Sequence, residues 1–212
     1  RARLTPLGAG KVGGIGPNHA DPAQAIYDHR RTEGNGIEGA RRTGTAKLMF
    51  LGSSCIYPKH APQPIREDAL LTGPLEPTNQ WYAIAKIAGL KLCEAFNAQY
   101  GRRYVSVMPT NLYGPEDNYD LAKSHVLPAL IRKAHEAKLR GDDEIVVWGS
   151  GTPRREFLYV DDLADACVFL MERSENDRAT PALINIGTGK DLTIAELVAL
   201  VMDVVGLRGG IV

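Results

Sequence analysis

Two rhythms of apolar and polar positions divide the chain. Lys47-Leu48-Met49-Phe50-Leu51 and Leu183 to Ile186 are short, nearly unbroken apolar runs, and Tyr104-Val105-Ser106-Val107-Met108 alternates before Pro109. Runs of this length rich in β-branched and aromatic residues predict strands. Between them lie stretches whose apolar residues recur at helical spacing. Ile84, Ile87, Leu90, Leu92 and Phe96 place a helix between Asn79, a candidate N-cap, and Gly101, a stop signal. Ser124 to about Leu139 predicts another helix, with Pro128 close enough to its start to be tolerated. A third begins at Asp161 with Leu163, Ala166, Phe169 and Leu170 on its core side. The last runs to Val205 from a capping box formed by Thr193 and Glu196. Glu144 to Trp148 and Glu156 to Val160 predict strands around the turn Gly149-Ser150-Gly151-Thr152-Pro153, and a further strand starts at Gly209-Gly210-Ile211-Val212. Strands alternating with helices in this way imply an α/β fold with a doubly wound parallel sheet.

The first 46 residues fit this scheme least. Gly8-Ala9-Gly10-Lys11-Val12-Gly13 matches the G-x-G-x-x-G dinucleotide fingerprint, but the motif has meaning only between a strand and a helix. Arg1 to Pro6 is a poor strand, and Gly14, Gly16 and Pro17 block a following helix, so the match reads as a decoy. From Pro22 to Arg42 a helix is due, yet Asp28-His29-Arg30-Arg31-Thr32-Glu33-Gly34-Asn35-Gly36 supplies charges and glycines. That composition argues against a stable buried helix and predicts a poorly ordered segment. Tyr57 to Pro77, rich in proline and polar residues, predicts a surface connection.

Composition narrows the function classes. The 25 basic and 25 acidic residues of the 212 cancel, so no overall field draws the chain to nucleic acid or to an anionic membrane. No apolar run approaches the ~20 residues that span a bilayer, and no signal-peptide hydrophobic region is visible. Cys55, Cys93 and Cys167 are scattered without metal-ligand spacing. A reducing, cytoplasmic setting and no bound metal are the expectation.

Tyr82 and Lys86 stand four positions apart on the first predicted helix and therefore share one face. An ammonium beside a phenol favours the phenolate, which would let Tyr82 move a proton near neutral pH. Upstream, the strand ending at Leu51 runs into Gly52-Ser53-Ser54-Cys55-Ile56-Tyr57-Pro58. A strand ending in small hydroxyl residues, followed by Tyr-x-x-x-Lys, resembles the extended branch of the short-chain dehydrogenase/reductase superfamily. Six strings occur in one order: Lys11-Val12-Gly13-Gly14-Ile15, Leu51 to Pro58, Glu76-Pro77-Thr78-Asn79, Met108 to Pro115, Ser124-His125-Val126 and Val147 to Pro153. Together they resemble the GDP-L-fucose synthase family over nearly the whole chain.

The resemblance implies epimerisation at C3 and C5 of GDP-4-keto-6-deoxymannose and then reduction at C4 with NADPH. It makes Tyr82, Lys86 and Ser53 the reducing unit, and Cys55 and His125 the two proton-exchanging groups. Thiol and imidazole suit that task because their ordinary titration ranges lie near neutrality. It assigns Leu51, Gly52, Ser53, Ser54, Lys86, Pro109, Thr110, Asn111, Leu112 and His125 to the cofactor, and Lys133, Trp148 and Arg155 to the GDP half of the substrate. It also implies an incomplete Rossmann-like domain over 1–113, an incomplete substrate-binding region over 114–212, and a homodimer through the Tyr82 to Tyr100 helix. In the family the phosphate-binding glycine loop precedes the position of Arg1, so the chain is expected to be cut at both ends and to hold NADPH weakly. Two alternatives share these residues: another sugar-nucleotide epimerase, reductase or dehydratase, and a catalytically silent piece serving only in association.

Overall fold

The computed structural model describes residues 4–8, 21–121, 123–173 and 181–212. In chain order its elements are β1 (Leu4–Leu7), α1 (Pro22–Arg42), β2 (Lys47–Leu51), α2 (Gln80–Tyr100), β3 (Arg103–Pro109), β4 (Asn111–Tyr113), α3 (Val126–Arg140), β5 (Glu144–Ile145), β6 (Arg154–Tyr159), α4 (Val160–Arg173), β7 (Leu183–Ile186), β8 (Asp191–Thr193), α5 (Ile194–Val205) and β9 (Gly210–Ile211). They fall into two compact units, one of residues 1–110 and 161–186 and the other of 111–160 and 187–212. The decoy glycine loop and the string Lys11 to Ile15 lie outside the described residues, apart from Gly8.

The first unit is built on a sheet ordered β1-β2-β3-β7, every neighbouring pair parallel. Strand periodicity sends alternate side chains to opposite faces. Leu48 and Phe50 of β2 join Tyr104 and Met108 of β3 in one core with Ile37 of α1 and Leu90 of α2. Met49, Val105 and Val107 pack on the other side with Met171, Cys167 and Leu170 of α4. Both faces are covered, as the strand–helix alternation predicts. Asn97, near the end of α2, donates to the Tyr104 carbonyl at 2.7 Å and accepts from its N–H at 2.8 Å, tying the helix to the strand that follows.

Several expectations need correction. Leu4–Leu7 is a strand despite Pro6, paired parallel with β2 along its whole length. Pro22–Arg42 is not poorly ordered but one 21-residue helix. Its buried residues, His29, Glu33, Ile37 and Ala40, form a single stripe at helical spacing. The glycines that argued against it have a local use: a Cβ on Gly36 would lie 2.8 Å from the Leu7 side chain, so its absence lets α1 settle on β1. Glu38 pairs outward with Arg41 and Arg42, whose charges also suit the carboxyl end of the helix. Asn79 sits at the N-cap of α2, but its side chain makes no capping hydrogen bond. Gly101 closes that helix in the left-handed conformation, as expected. Phe169 is exposed rather than on the core side of α4; Leu163, as expected, and Met171 are buried there.

In the second unit β4 pairs parallel with β6, and β6 antiparallel with β8. The expected strand from Glu144 to Trp148 shortens to Glu144–Ile145, paired with β9. The other predicted strand is β6, displaced to Arg154–Tyr159. Helices α3 and α5 share a core of Leu127, Leu130, Ala134, Leu197, Val198 and Val201. Both arms of the Thr193–Glu196 capping box form. Among the described residues no helix is long and apolar enough to cross a membrane.

Two helix glycines make opposite demands. A Cβ on Gly89 would lie 2.5 Å from the Phe50 ring and 3.1 Å from Glu33 Oε2, whereas one on Gly34 meets nothing within 4 Å. Gly89→Ala is expected to lower the unfolding free energy by about 1–3 kcal/mol through overpacking, and Gly34→Ala to raise it by about 0.5–1 kcal/mol through backbone entropy. Urea midpoints of the two variants read this contrast. A wild-type midpoint for Gly89→Ala would contradict the packing.

Candidate active site

The candidate site lies at the carboxyl ends of β2 and β3, the edge where open parallel sheets bind ligands. After Leu51 the chain is pinned by Gly52, whose N–H donates to the Val107 carbonyl at 2.9 Å. A Cβ at Gly52 would meet the end of the Met108 side chain and crowd the Val107 carbonyl, so glycine lets that methionine lie against the backbone. Ser53 then caps a short 3-10 turn over Ser54–Ile56, its hydroxyl accepting from the Cys55 N–H at 3.5 Å. The same hydroxyl stands near enough to the Tyr82 phenol and the Cys55 thiol to favour the ionised form of each, against the larger effect of burial. Sequence-predicted Ser53, Cys55 and Tyr82 are thus brought together.

Lys86 extends from α2 one turn beyond Tyr82 and is buried. Its ammonium donates to the Leu51 carbonyl at 2.9 Å, lies 2.9 Å from Glu33 Oε1, and sits 5.1 Å from the Phe50 ring centroid. The Tyr82 ring centroid is 5.7 Å away. The expected phenolate is therefore not what this geometry favours. Burial, then the neighbouring Cys55 and Glu33, push the Tyr82 phenol well above its ordinary range, and the Ser53 hydroxyl opposes this only in part. Tyr82 is held as a phenol, a proton donor. A second correction concerns Cys55: burial pushes its thiol up to about 11, away from neutrality.

Sequence reasoning missed two members of the site. Glu33 and His29, one turn apart on α1, are each 1% exposed and face the helix that carries Tyr82 and Lys86. The His29 ring meets that of Tyr82 edge-on at 4.9 Å, and His29 Nδ1 is 4.0 Å from Glu33 Oε1. Burial raises the Glu33 carboxyl, with the Lys86 charge pulling the other way. Distance makes the Glu33–Lys86 ion pair; neither carboxylate oxygen has an aligned hydrogen bond. The available signal was the i,i+4 spacing of two polar residues on the stripe that should have been apolar.

Of the remaining residues assigned by resemblance, Pro109 ends β3, and Thr110 donates its N–H to Ile186 at 3.1 Å while its hydroxyl is buried without a partner among the described residues. The others belong to the second unit. Asn111 donates from Nδ2 to the Glu156 carbonyl at 2.9 Å, and Leu112 pairs with Leu158. His125 stands exposed at the N-cap of α3 and makes no side-chain cap bond. Lys133 places its ammonium 4.5 Å from the centroid of the highly exposed Trp148 ring. Arg155 instead turns to the Arg154 carbonyl at 2.7 Å.

Comparison with known proteins gives a consistent result. Residues 5–187 match the model of the NAD dependent epimerase/dehydratase family. The chain is 59% identical over 207 residues to GDP-L-fucose synthase of Sinorhizobium fredii (strain NBRC 101917 / NGR234), covering 97% of this chain and 64% of that protein. It is 55% identical over 211 residues to GDP-L-fucose synthase of Escherichia coli (strain K12), covering 97% of this chain and 66% of the relative. It thus spans just under two thirds of these relatives. Among solved structures, GDP-mannoheptose C4 reductase MlghC from Campylobacter jejuni with NADP bound superposes with a TM-score of 0.90 at 34% identity, covering 99% of this chain and 71% of that one. A gdp-l-fucose synthetase from Naegleria fowleri bound to NADP gives 0.87 at 28% identity, covering 99% and 64%. The shared fold is the Rossmann-like parallel sheet.

The Cys55 environment has a direct consequence. Only the thiolate alkylates, so a thiol held near 11 should react with iodoacetamide at pH 7.5 on the order of a hundredfold more slowly than an unburied cysteine. The rate should climb with pH toward 11, and Cys55→Ser identifies the signal. A fast reaction at neutral pH would contradict the burial.

Proposed function

Because the chain belongs to the NAD dependent epimerase/dehydratase family, we propose that it carries the catalytic core of a GDP-L-fucose synthase. That enzyme epimerises GDP-4-keto-6-deoxy-D-mannose at C3 and C5 and reduces C4 with NADPH. The observation that carries the proposal is the gathering of Ser53, Cys55 and Tyr82 beside a buried Lys86 at the carboxyl edge of a parallel sheet. A plain reductase needs only the serine, tyrosine and lysine; the cysteine in the same turn supplies a second proton-handling group. The level of identity to GDP-L-fucose synthases supports this substrate over other sugar nucleotides.

The residues at the sheet edge suit a nicotinamide cofactor. Gly52 leaves the backbone bare beside β3, Thr110 carries a buried hydroxyl without a partner among the described residues, and Lys86 donates to Leu51 while its charge is paired with Glu33. Leu51 to Ser54, Lys86, Pro109 to Leu112 and His125 would hold it, and when bound NADPH supplies the hydride for C4. Tyr82, held as a phenol, gives its proton to the oxygen on C4, and Ser53 orients that oxygen by hydrogen bonding. The keto group at C4 acidifies the hydrogens on C3 and C5, and Cys55 and His125 exchange protons there. General acid–base groups of this kind contribute about 10²–10⁴ in rate. Lys133 with Trp148 offers a cation and a flat indole to the GDP moiety, and Arg155 a guanidinium for its diphosphate. We further propose a cytoplasmic homodimer associating through α2, whose outer side exposes Trp81, Ile84 and Tyr100.

The test is product analysis in deuterated water with GDP-4-keto-6-deoxymannose and NADPH, using protein expressed from its complete reading frame. Deuterium should enter C3 and C5, and GDP-L-fucose should form. Tyr82→Phe should slow reduction by about 10²–10⁴ while leaving exchange in place; Cys55→Ser and His125→Gln should each impair exchange. Reduction without label at C3 and C5 would remove the epimerase reading and leave a C4 reductase.

A further inference from the structure

We propose that Glu33 is a positioning residue: from α1 it anchors the Lys86 ammonium against the Leu51 carbonyl and offsets that cation beside Tyr82. This inference rests on the reading of Tyr82 and Lys86 as the reducing pair. Four features of the geometry point to it. Glu33 is buried and its Oε1 lies 2.9 Å from Lys86 Nζ. His29 and Glu33 on α1 repeat the spacing of Tyr82 and Lys86 on α2, so that the imidazole meets the phenol and the carboxylate meets the ammonium. Gly89, a residue without a side chain three positions after Lys86, leaves the space that Glu33 Oε2 fills. Finally, the Leu51 carbonyl that takes the Lys86 hydrogen bond lies two residues before Ser53, so the anchored lysine also fixes the turn that holds the serine.

The consequence is chemical as well as geometric. A lone ammonium beside Tyr82 would favour the phenolate, the form that removes a proton. With the carboxylate beside it the cation is offset, and the phenol keeps the proton that reduction of a ketone requires. The titratable groups facing this pair are His29 and Glu33 from α1, Cys55 from the turn after β2, and Cys93 farther along α2, which also senses the Glu33 charge. Of these, Glu33 alone makes an ion pair with Lys86 among the described residues.

The experiment compares wild type with Glu33→Gln and Glu33→Asp. In the substrate-free protein, ultraviolet titration of tyrosinate should show one tyrosine ionising about one pH unit or more lower in Glu33→Gln, a change missing in Glu33→Gln/Tyr82→Phe. Glu33→Asp, which keeps the charge but withdraws it by one methylene, should move it less and restore most of the rate. The alkaline limb of the kcat profile for C4 reduction should fall in parallel. If Glu33→Gln does not fold, the Glu33→Asp shift in the same direction carries the test. Superimposable tyrosine titrations and kcat profiles in wild type and variant would overturn the inference. A shifted titration in a protein that reduces no GDP-sugar would instead sink the proposed function and leave the positioning role standing.

Discussion

One buried ammonium organises the first unit. Taking a lysine charge out of water costs several kcal/mol unless an opposite charge and well-placed acceptors answer it, and Lys86 is 5% exposed. Glu33 supplies the charge, Leu51 the acceptor and the Phe50 ring a polarisable wall. The carboxylate comes from α1, the carbonyl and the ring from β2 and the lysine itself from α2, so all three elements must sit where they do for Lys86 to be accommodated. The helix stripe that would ordinarily be leucine and alanine is polar at His29 and Glu33 for this reason.

That arrangement also explains the glycines around it. Polar side chains pointing into a helix–sheet junction need room, and the room comes from residues without side chains. Gly89 yields to Glu33 and Phe50, Gly36 yields to Leu7, and Gly52 yields to Met108 where the backbone turns from strand to catalytic loop. In a helix such glycines are unfavourable by about 1 kcal/mol each. Here they permit contacts that a Cβ would forbid.

The two units divide the chemistry. The first holds the cluster of Ser53, Cys55 and Tyr82, to which the proposed proton transfers belong, and the second the Lys133–Trp148 cation–π pair. In the first unit the members share one buried environment, so their protonation is set collectively. Tyr82 and Cys55 are both pushed up chiefly by lost solvation.

The sequence by itself determined the strands β2, β3 and β7, the helices after them, the Thr193–Glu196 cap and the Gly101 stop. These depend on periodicity and local backbone preference, which neighbouring residues express directly. It also located Ser53, Cys55, Tyr82 and Lys86, because their motif is compact along the chain. Only the tertiary structure decided that Pro22–Arg42 is a helix, that Leu4–Leu7 is a strand, and that Tyr82 stands as a phenol. Local composition spoke against the helix because His29 and Glu33 look solvent-bound in one dimension. Their partners, Tyr82 and Lys86, lie some fifty residues away along the chain, and the charge on a buried group is fixed by what surrounds it in space rather than by what precedes it in sequence.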